Sequence, residues 1–143
     1  MTDIGALRFV GEVEQVEGEV ASIRIFPGFC DGLKGLDDFS HIIVLYWVDR
    51  RDNDVERSTL RVIPRKHAGA PEVGVFASRS PSRPNPLGLC VSELLKIDGC
   101  TLTVRGLDAF EDTPIVDIKP YLPRADSIPE AQVPEWILHG PKT

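Results

Sequence analysis

The chain is poor in aromatic residues, 7% of 143, and has no long apolar run. Its longest uninterrupted apolar stretch, Ile42 to Val48, is far short of the roughly 20 residues a membrane-spanning helix needs. The opening residues Met1-Thr2-Asp3-Ile4-Gly5 hold neither a basic n-region nor an apolar h-region. No secretory signal is expected on that ground, and the expectation is a soluble, cytoplasmic protein with no membrane partner. Cysteine is sparse, and no C-x-x-C pair occurs. Cys30, Cys90 and Cys100 are therefore expected to be reduced thiols, Cys90 and Cys100 as small core residues. His41, His67 and His139 are scattered without companions at ligand spacing, so no metal site is expected. No G-x-G-x-x-G follows a strand and no amphipathic helix separates strands, which disfavours a Rossmann-type fold.

Positive charge is also in short supply: 16 Lys and Arg face 22 Asp and Glu, a net charge of -6. A generic nucleic-acid coat is unlike this, because non-specific affinity comes mostly from neutralised phosphates. The total hides a distribution. Residues 1–60 carry a net -6, residues 61–105 a net +4, and residues 106–143 a net -4. Within the stretch 48–67, Arg50, Arg51, Arg57, Arg61, Arg65 and Lys66 make a basic segment able to meet phosphates if folded onto one face.

What the chain does have is glycine, proline (12 of each) and short alternating segments. At roughly 100–200 residues per domain the length predicts one domain over 1–143. Strands are predicted over 6–13, 19–26, 41–48, 58–63, 73–77, 89–97, 101–107 and 115–118. The β-branched and aromatic run 41–48 reads as a strand buried on both faces. Asp98-Gly99 reads as a hairpin turn, residues 31–39 as a helical turn, and 129–138 as ending in a short helix. This pattern predicts a mainly β fold, an antiparallel barrel or sandwich with short helical turns.

Ser78 to Leu89 is the informative loop. Pro81, Pro84 and Pro86 fix φ and bias their predecessors to extended geometry, so two guanidiniums, Arg79 and Arg83, and the amide of Asn85 sit on a pre-ordered loop. Rigid polar loops on a β scaffold are where binding sites usually lie, although a rigid connector with solvated arginines reads equally well. A second cluster, 106–123, brings Asp108, Glu111, Asp112 and Asp117 as carboxylates for ribose hydroxyls or a general base. Against that, Asp112 and Thr113 suit a turn, and Asp117 and Lys119 share a strand face as a surface pair.

Three segments in order, Gly32-Leu33-Lys34-Gly35-Leu36-Asp37-Asp38-Phe39-Ser40-His41, Ser78 to Leu89, and Thr113-Pro114-Ile115-Val116-Asp117-Ile118-Lys119-Pro120-Tyr121-Leu122-Pro123, closely resemble the TsaA-like (TrmO) family over about residues 5–127. The chain looks like the short, archaeal-type form. The resemblance implies a single-sheeted antiparallel β-barrel that binds S-adenosylmethionine, usually as a homodimer, and methylates N6 of threonylcarbamoyladenosine next to the tRNA anticodon. Carried over by motif, Arg79, Arg83, Asn85 and Leu89 match the cofactor loop. Asp49 and Arg50 fall where relatives carry a polar pair after the long strand, and Gly106, Leu107 and Asp108 precede the D-G-T-P element. Asp117, Lys119 and Tyr121 belong to the D-I-K-P-Y-L-P motif. Two positions depart from the family pattern. Asp49 stands where His is usual, and Asp112 where D-G-T-P has Gly, which implies a different local turn. On this resemblance Arg79 or Arg50 engages the cofactor's carboxylate tail and Asp108 its adenosine. Asn85, Asp117 or Tyr121 then orients the target nitrogen or accepts its proton. The alternatives are a non-catalytic module that binds S-adenosylmethionine or RNA, and a methyltransferase with another acceptor. Trp136-Ile137-Leu138 reads as an apolar patch that closes the barrel's end or lies at an interface.

Overall fold

The computed structural model describes residues 3–141; Met1 and Thr2, part of the N-terminal pentapeptide read above, lie outside the described residues. The chain divides into two compact units. The first comprises residues 1–49 and 87–122, the second 50–86 and 123–143.

The first unit is the predicted antiparallel barrel. Its strands are β1 (Gly11–Glu17), β2 (Val20–Ile25), β3 (His41–Trp47), β6 (Leu87–Asp98), β7 (Thr101–Arg105) and β8 (Pro114–Pro120), closed in the order β1-β2-β7-β6-β3-β8. Period-two alternation turns Val13, Ala21, Ile23, Ile25, Ile42, Val44, Leu102, Val104 and Ile115 into one buried core. Closure leaves no free strand edge inside the barrel. The expectation that β3 is buried on both faces is corrected. Ile42 and Val44 are fully buried, whereas Ile43 and Leu45 face outward, paired with Val91 and Leu89 of β6. A closed barrel has one inside, so the outer residues of β3 are covered only partly.

Three local expectations also shift. The first strand runs 11–17 rather than 6–13, and Val75–Ala77 is a 3-10 turn. The β6–β7 hairpin turns on Gly99 and Cys100, because Asp98 is still paired with Thr101. Cys30 and Cys100, read above as reduced thiols, form a disulfide across 70 residues. Spacing along the chain gave no sign of it. The pairing of β2 with β7 brings the exit of β2 beside the hairpin, where Ile25 N–H donates to Cys100 O at 2.8 Å. Cys90 remains a free thiol.

The second unit holds a two-stranded sheet of β4 (Arg61–Val62) and β5 (Val73–Gly74), with short helices α1 (Asp54–Arg57) and α2 (Pro123–Asp126). Trp136 belongs to this unit and not to the barrel. Its ring packs edge-on to His67 at 5.6 Å, and the His67 ring bonds the His139 carbonyl at 2.6 Å through Nδ1. Among the described residues no helix is long and apolar enough to cross a membrane.

Candidate functional site

In the second unit the site is the proline loop 78–86 and what ties it down. Its prolines restrict the backbone, and hydrogen bonds do the rest. Ser78 Oγ accepts from Ser80 N–H and Ser80 Oγ from Ser82 N–H, two successive local turns. Arg83 Nη1 donates to the carbonyls of Ser78 and Ser80, both at 3.0 Å, so this guanidinium closes the loop on itself. Arg79 is exposed and has no hydrogen-bond or ion-pair partner among the described residues. The two arginines of the motif thus differ in kind. One builds the loop and the other projects a charge.

α1 anchors the loop from below. Asn53 caps it, its Oδ1 accepting from Glu56 N–H at 2.9 Å. Arg51 Nη1 donates to Glu56 at 3.1 Å and to Ser82 Oγ at 3.2 Å, and the buried Ser82 hydroxyl donates to Glu56. The hydrogen bond from Ser82 leads in holding the Glu56 carboxyl below the usual carboxylate range, with Arg51 adding to it. Arg57 Nε donates to Pro84 O at 2.7 Å, Nη1 to Asp52 at 3.0 Å, and Nη2 to Asn85 Oδ1 at 3.3 Å. Because the folded pKa of Glu56 is depressed, this anchor is in place above the ordinary carboxylate range and weakens as pH falls through the lowered value. Ser82→Ala is expected to raise the Glu56 pKa toward its ordinary value, as a carbon-13 NMR titration of the carboxyl would read. An unchanged titration would mean that Ser82 does not hold the carboxylate.

Half of the cations in the basic segment 48–67 are ion-paired within the second unit. Arg51, Arg57 and Arg61 are each paired, with Glu56, Asp52 and Glu72. Acidic residues interleaved with the arginines meet them first. Arg65 and Lys66 have no partner among the described residues. Asp49 and Arg50 are exposed on the 3-10 turn 49–51 that follows β3.

In the first unit Leu89, Gly106, Leu107 and Asp108 lie on β6 and just past β7. Leu89 is 49% exposed, and Leu87 and Val91 face outward with it. Gly106 takes φ 88°, the left-handed region that glycine enters without cost. Its N–H donates to Glu19 O at 2.9 Å, and its carbonyl accepts from the Cys90 thiol at 3.0 Å. Asp108 is exposed. Its charge and that of Cys90 add to burial in pushing Tyr46 up to about 12, so this phenol keeps its proton. Tyr46 pairs with Gly88 across β3 and β6. A Cβ at Gly88 would overlap the Tyr46 ring.

Of the β8 residues, Asp117 Oδ2 meets Lys119 Nζ at 3.1 Å and its Oδ1 accepts from Ile118 N–H at 2.9 Å. Tyr121 N–H donates to His41 O at 3.1 Å, and the two rings meet edge-on at 6.5 Å. Asp117 lies within β8 and Tyr121 just past its end, four positions further along the chain. Glu111 accepts from Val16 N–H at 3.0 Å, a structural bond. Asp112, expected to alter its turn, adopts φ 69°, the left-handed conformation that aspartate tolerates better than most residues. Sequence reasoning missed Tyr46, Gly88, Glu56 and Arg57 as site-building residues. Gly88 and Ser82 lay inside the recognised loop motif, but their partners lie 26 to 42 residues away, outside it.

The profile of the tRNA-methyltransferase O N-terminal domain matches residues 12–127. A probable S-adenosyl-L-methionine-binding protein of Archaeoglobus fulgidus is 50% identical over 115 residues, covering 80% of this chain and 30% of that protein. The tRNA (adenine(37)-N6)-methyltransferase of Escherichia coli is 38% identical over 125 residues, 85% of this chain and 52% of that protein. A crystal structure of TrmO from P. aeruginosa superposes with a TM-score of 0.73 at 24% identity, over 94% of this chain and 62% of that one, a likeness of fold. The chain thus spans roughly a third to three-fifths of the length of these proteins. Since the profile runs through β1 to β8, the proline loop and the β8 motif alike, this chain belongs to the family of the tRNA-methyltransferase O N-terminal domain.

Proposed function

We propose that this protein is an S-adenosylmethionine-dependent methyltransferase acting on N6 of a tRNA adenine, more narrowly of threonylcarbamoyladenosine beside the anticodon, and that it works as a cytoplasmic homodimer. The observation that carries the reading is the 38% identity, over 85% of the chain, to a tRNA (adenine(37)-N6)-methyltransferase. The division of charge supports an RNA partner. The barrel unit holds 6 Lys and Arg against 15 Asp and Glu, and the second unit 10 against 7, so positive charge is concentrated in the unit that carries the proline loop. That distribution suits docking through a local basic surface on a protein of net -6.

The residues assigned to the cofactor's nucleoside belong to the barrel unit. Leu89, half exposed, offers apolar surface to a base, Leu107 packs against the barrel core beside the exposed Asp108, and the Asp108 carboxylate offers acceptors to ribose hydroxyls. Gly106 allows close main-chain approach. Arg79 is assigned to an anionic group, the carboxylate of the cofactor or an RNA phosphate, and Asp49 and Arg50 to the polar surroundings of the cofactor. Arg83 acts by keeping the loop closed. When bound, the cofactor supplies a methyl carbon on a sulfonium; a carbon–nitrogen bond forms as the carbon–sulfur pair returns to sulfur, and N6 sheds a proton. Much of such a rate comes from positioning the two reactants. Asn85, Asp117 and Tyr121 are the residues assigned to orient N6 or take its proton. The target base lies in a tRNA loop, where it can be splayed out without opening a duplex.

Incubation with methyl-labelled S-adenosylmethionine and bulk tRNA is expected to place label in RNA. Asp108→Ala is expected to weaken cofactor binding about tenfold in calorimetry, the loss of one or two hydrogen bonds to a charged group. Cofactor binding without any label in RNA would overturn the enzymatic reading in favour of a binding module, and label in protein or small molecules would move the acceptor. The A. fulgidus relative, a probable S-adenosyl-L-methionine-binding protein, supports the module as the second reading.

A further inference from the structure

Asn85 lies between two prolines, the second of them, Pro86, fully buried. Pro84 locks one φ, and Pro86 drives Asn85 itself toward extended geometry, so its backbone has little freedom. The side chain is held by one bond, from Arg57 Nη2 to Oδ1 at 3.3 Å. A guanidinium only donates, so the atom facing it must be the amide oxygen and the NH2 is the end turned away. That NH2 has no partner among the described residues. Arg57 is itself fixed, with Nε on Pro84 O at 2.7 Å and Nη1 on Asp52 at 3.0 Å. Three acceptors on different sides need the planar fork of arginine, which a single ammonium cannot reproduce.

We propose that Arg57 is a positioning residue that orients the Asn85 amide, so that Asn85 serves the site as a hydrogen-bond donor to an acceptor atom of the ligand and not as an acceptor for the N6 proton. The inference rests on the methyltransferase reading for its functional half only. A side-chain amide that reads adenine in bidentate fashion uses its oxygen toward N6–H and its nitrogen toward N7. Here the oxygen is turned to Arg57, leaving the donor half. The acceptor it meets is a ring nitrogen or an oxygen. Proton acceptance in the reaction falls to another group or to water.

Two measurements test this. The first needs no activity. The Asn85 side-chain NH2 pair, identified in nitrogen-15 spectra by its disappearance in Asn85→Asp, is expected at dispersed positions in the native protein. In Arg57→Lys it is expected to collapse to the shifts of a solvent-exposed asparagine while backbone amides outside 52–86 stay in place. A pair unmoved by Arg57→Lys overturns the positioning role. The second is methyl transfer to tRNA. Asn85→Asp keeps the shape and an oxygen toward Arg57 but removes the NH2, and it is expected to lower kcat at least tenfold, as is Arg57→Lys. Wild-type kcat in Asn85→Asp overturns the donor role. Absence of transfer by the native protein, with the NH2 pair still released by Arg57→Lys, would sink the methyltransferase reading and uphold the positioning role.

Discussion

Replacement of both Cys30 and Cys100 by serine is expected to lower stability by about 4 kcal/mol, and the melting temperature by roughly 10 °C. The bond closes a chain segment of sequence separation 70, so in the unfolded state it removes much of the freedom the two ends would otherwise have. The native state should survive its loss. The exit of β2 and the β6–β7 hairpin are already joined by the Ile25 to Cys100 hydrogen bond and by the register of β2 with β7. The double variant avoids leaving an odd thiol that would exchange with Cys90. Calorimetry of the native protein with and without reductant, beside the serine variant, reads the effect. Equal melting temperatures for all three samples would show that the pair contributes nothing.

Gly88→Ala is expected to destabilise the barrel through a clash with one aromatic ring. The added Cβ would fall on the Tyr46 ring, which is buried on one side by the barrel core. Gly88 is paired with Tyr46 on β3 near the start of β6, so its backbone cannot retreat without disturbing that pairing. The ring must swing out, at a cost of about 1–3 kcal/mol typical of overpacking. A second readout separates this from general damage. Burial is the leading cause of the Tyr46 pKa near 12, followed by Asp108 and Cys90, so expulsion of the ring should bring it back toward 10. A group whose folded pKa is raised contributes stability fully below its unfolded pKa and loses it as pH rises. The native protein should therefore lose stability between about pH 10 and 12, and the variant should lose less. Ultraviolet titration of tyrosinate in both proteins measures this. An alanine variant with Tyr46 still titrating near 12 would mean that the ring had not moved.

Much of the barrel was legible in the residues. Alternation in 20–25 and 101–105 marked strands because period two is a property of the strand alone. The proline loop was legible for the same reason: each ring fixes its own φ without help from elsewhere. The candidate site was legible as motifs but not as roles. Arg79 and Arg83 look alike in sequence, and only the carbonyls of Ser78 and Ser80 within reach of Arg83 set them apart. In the basic segment 48–67 a count of charges does not say which cations are already paired with Glu56, Asp52 and Glu72.

The amino-acid sequence by itself determined the scarcity of long apolar segments, the strand-rich pattern, the pre-ordered loop and the resemblance of its motifs. These depend on neighbours a few residues apart. The tertiary structure decided the closing order of the strands, the partner of Cys30, the hollow that Gly88 leaves for Tyr46, and the direction in which Asn85 points. Each of these joins residues far apart in the chain, 28 for Arg57 and Asn85 and 70 for the two cysteines. Such partners are selected by the whole packing of the core and the registers it enforces, a choice that no local pattern carries.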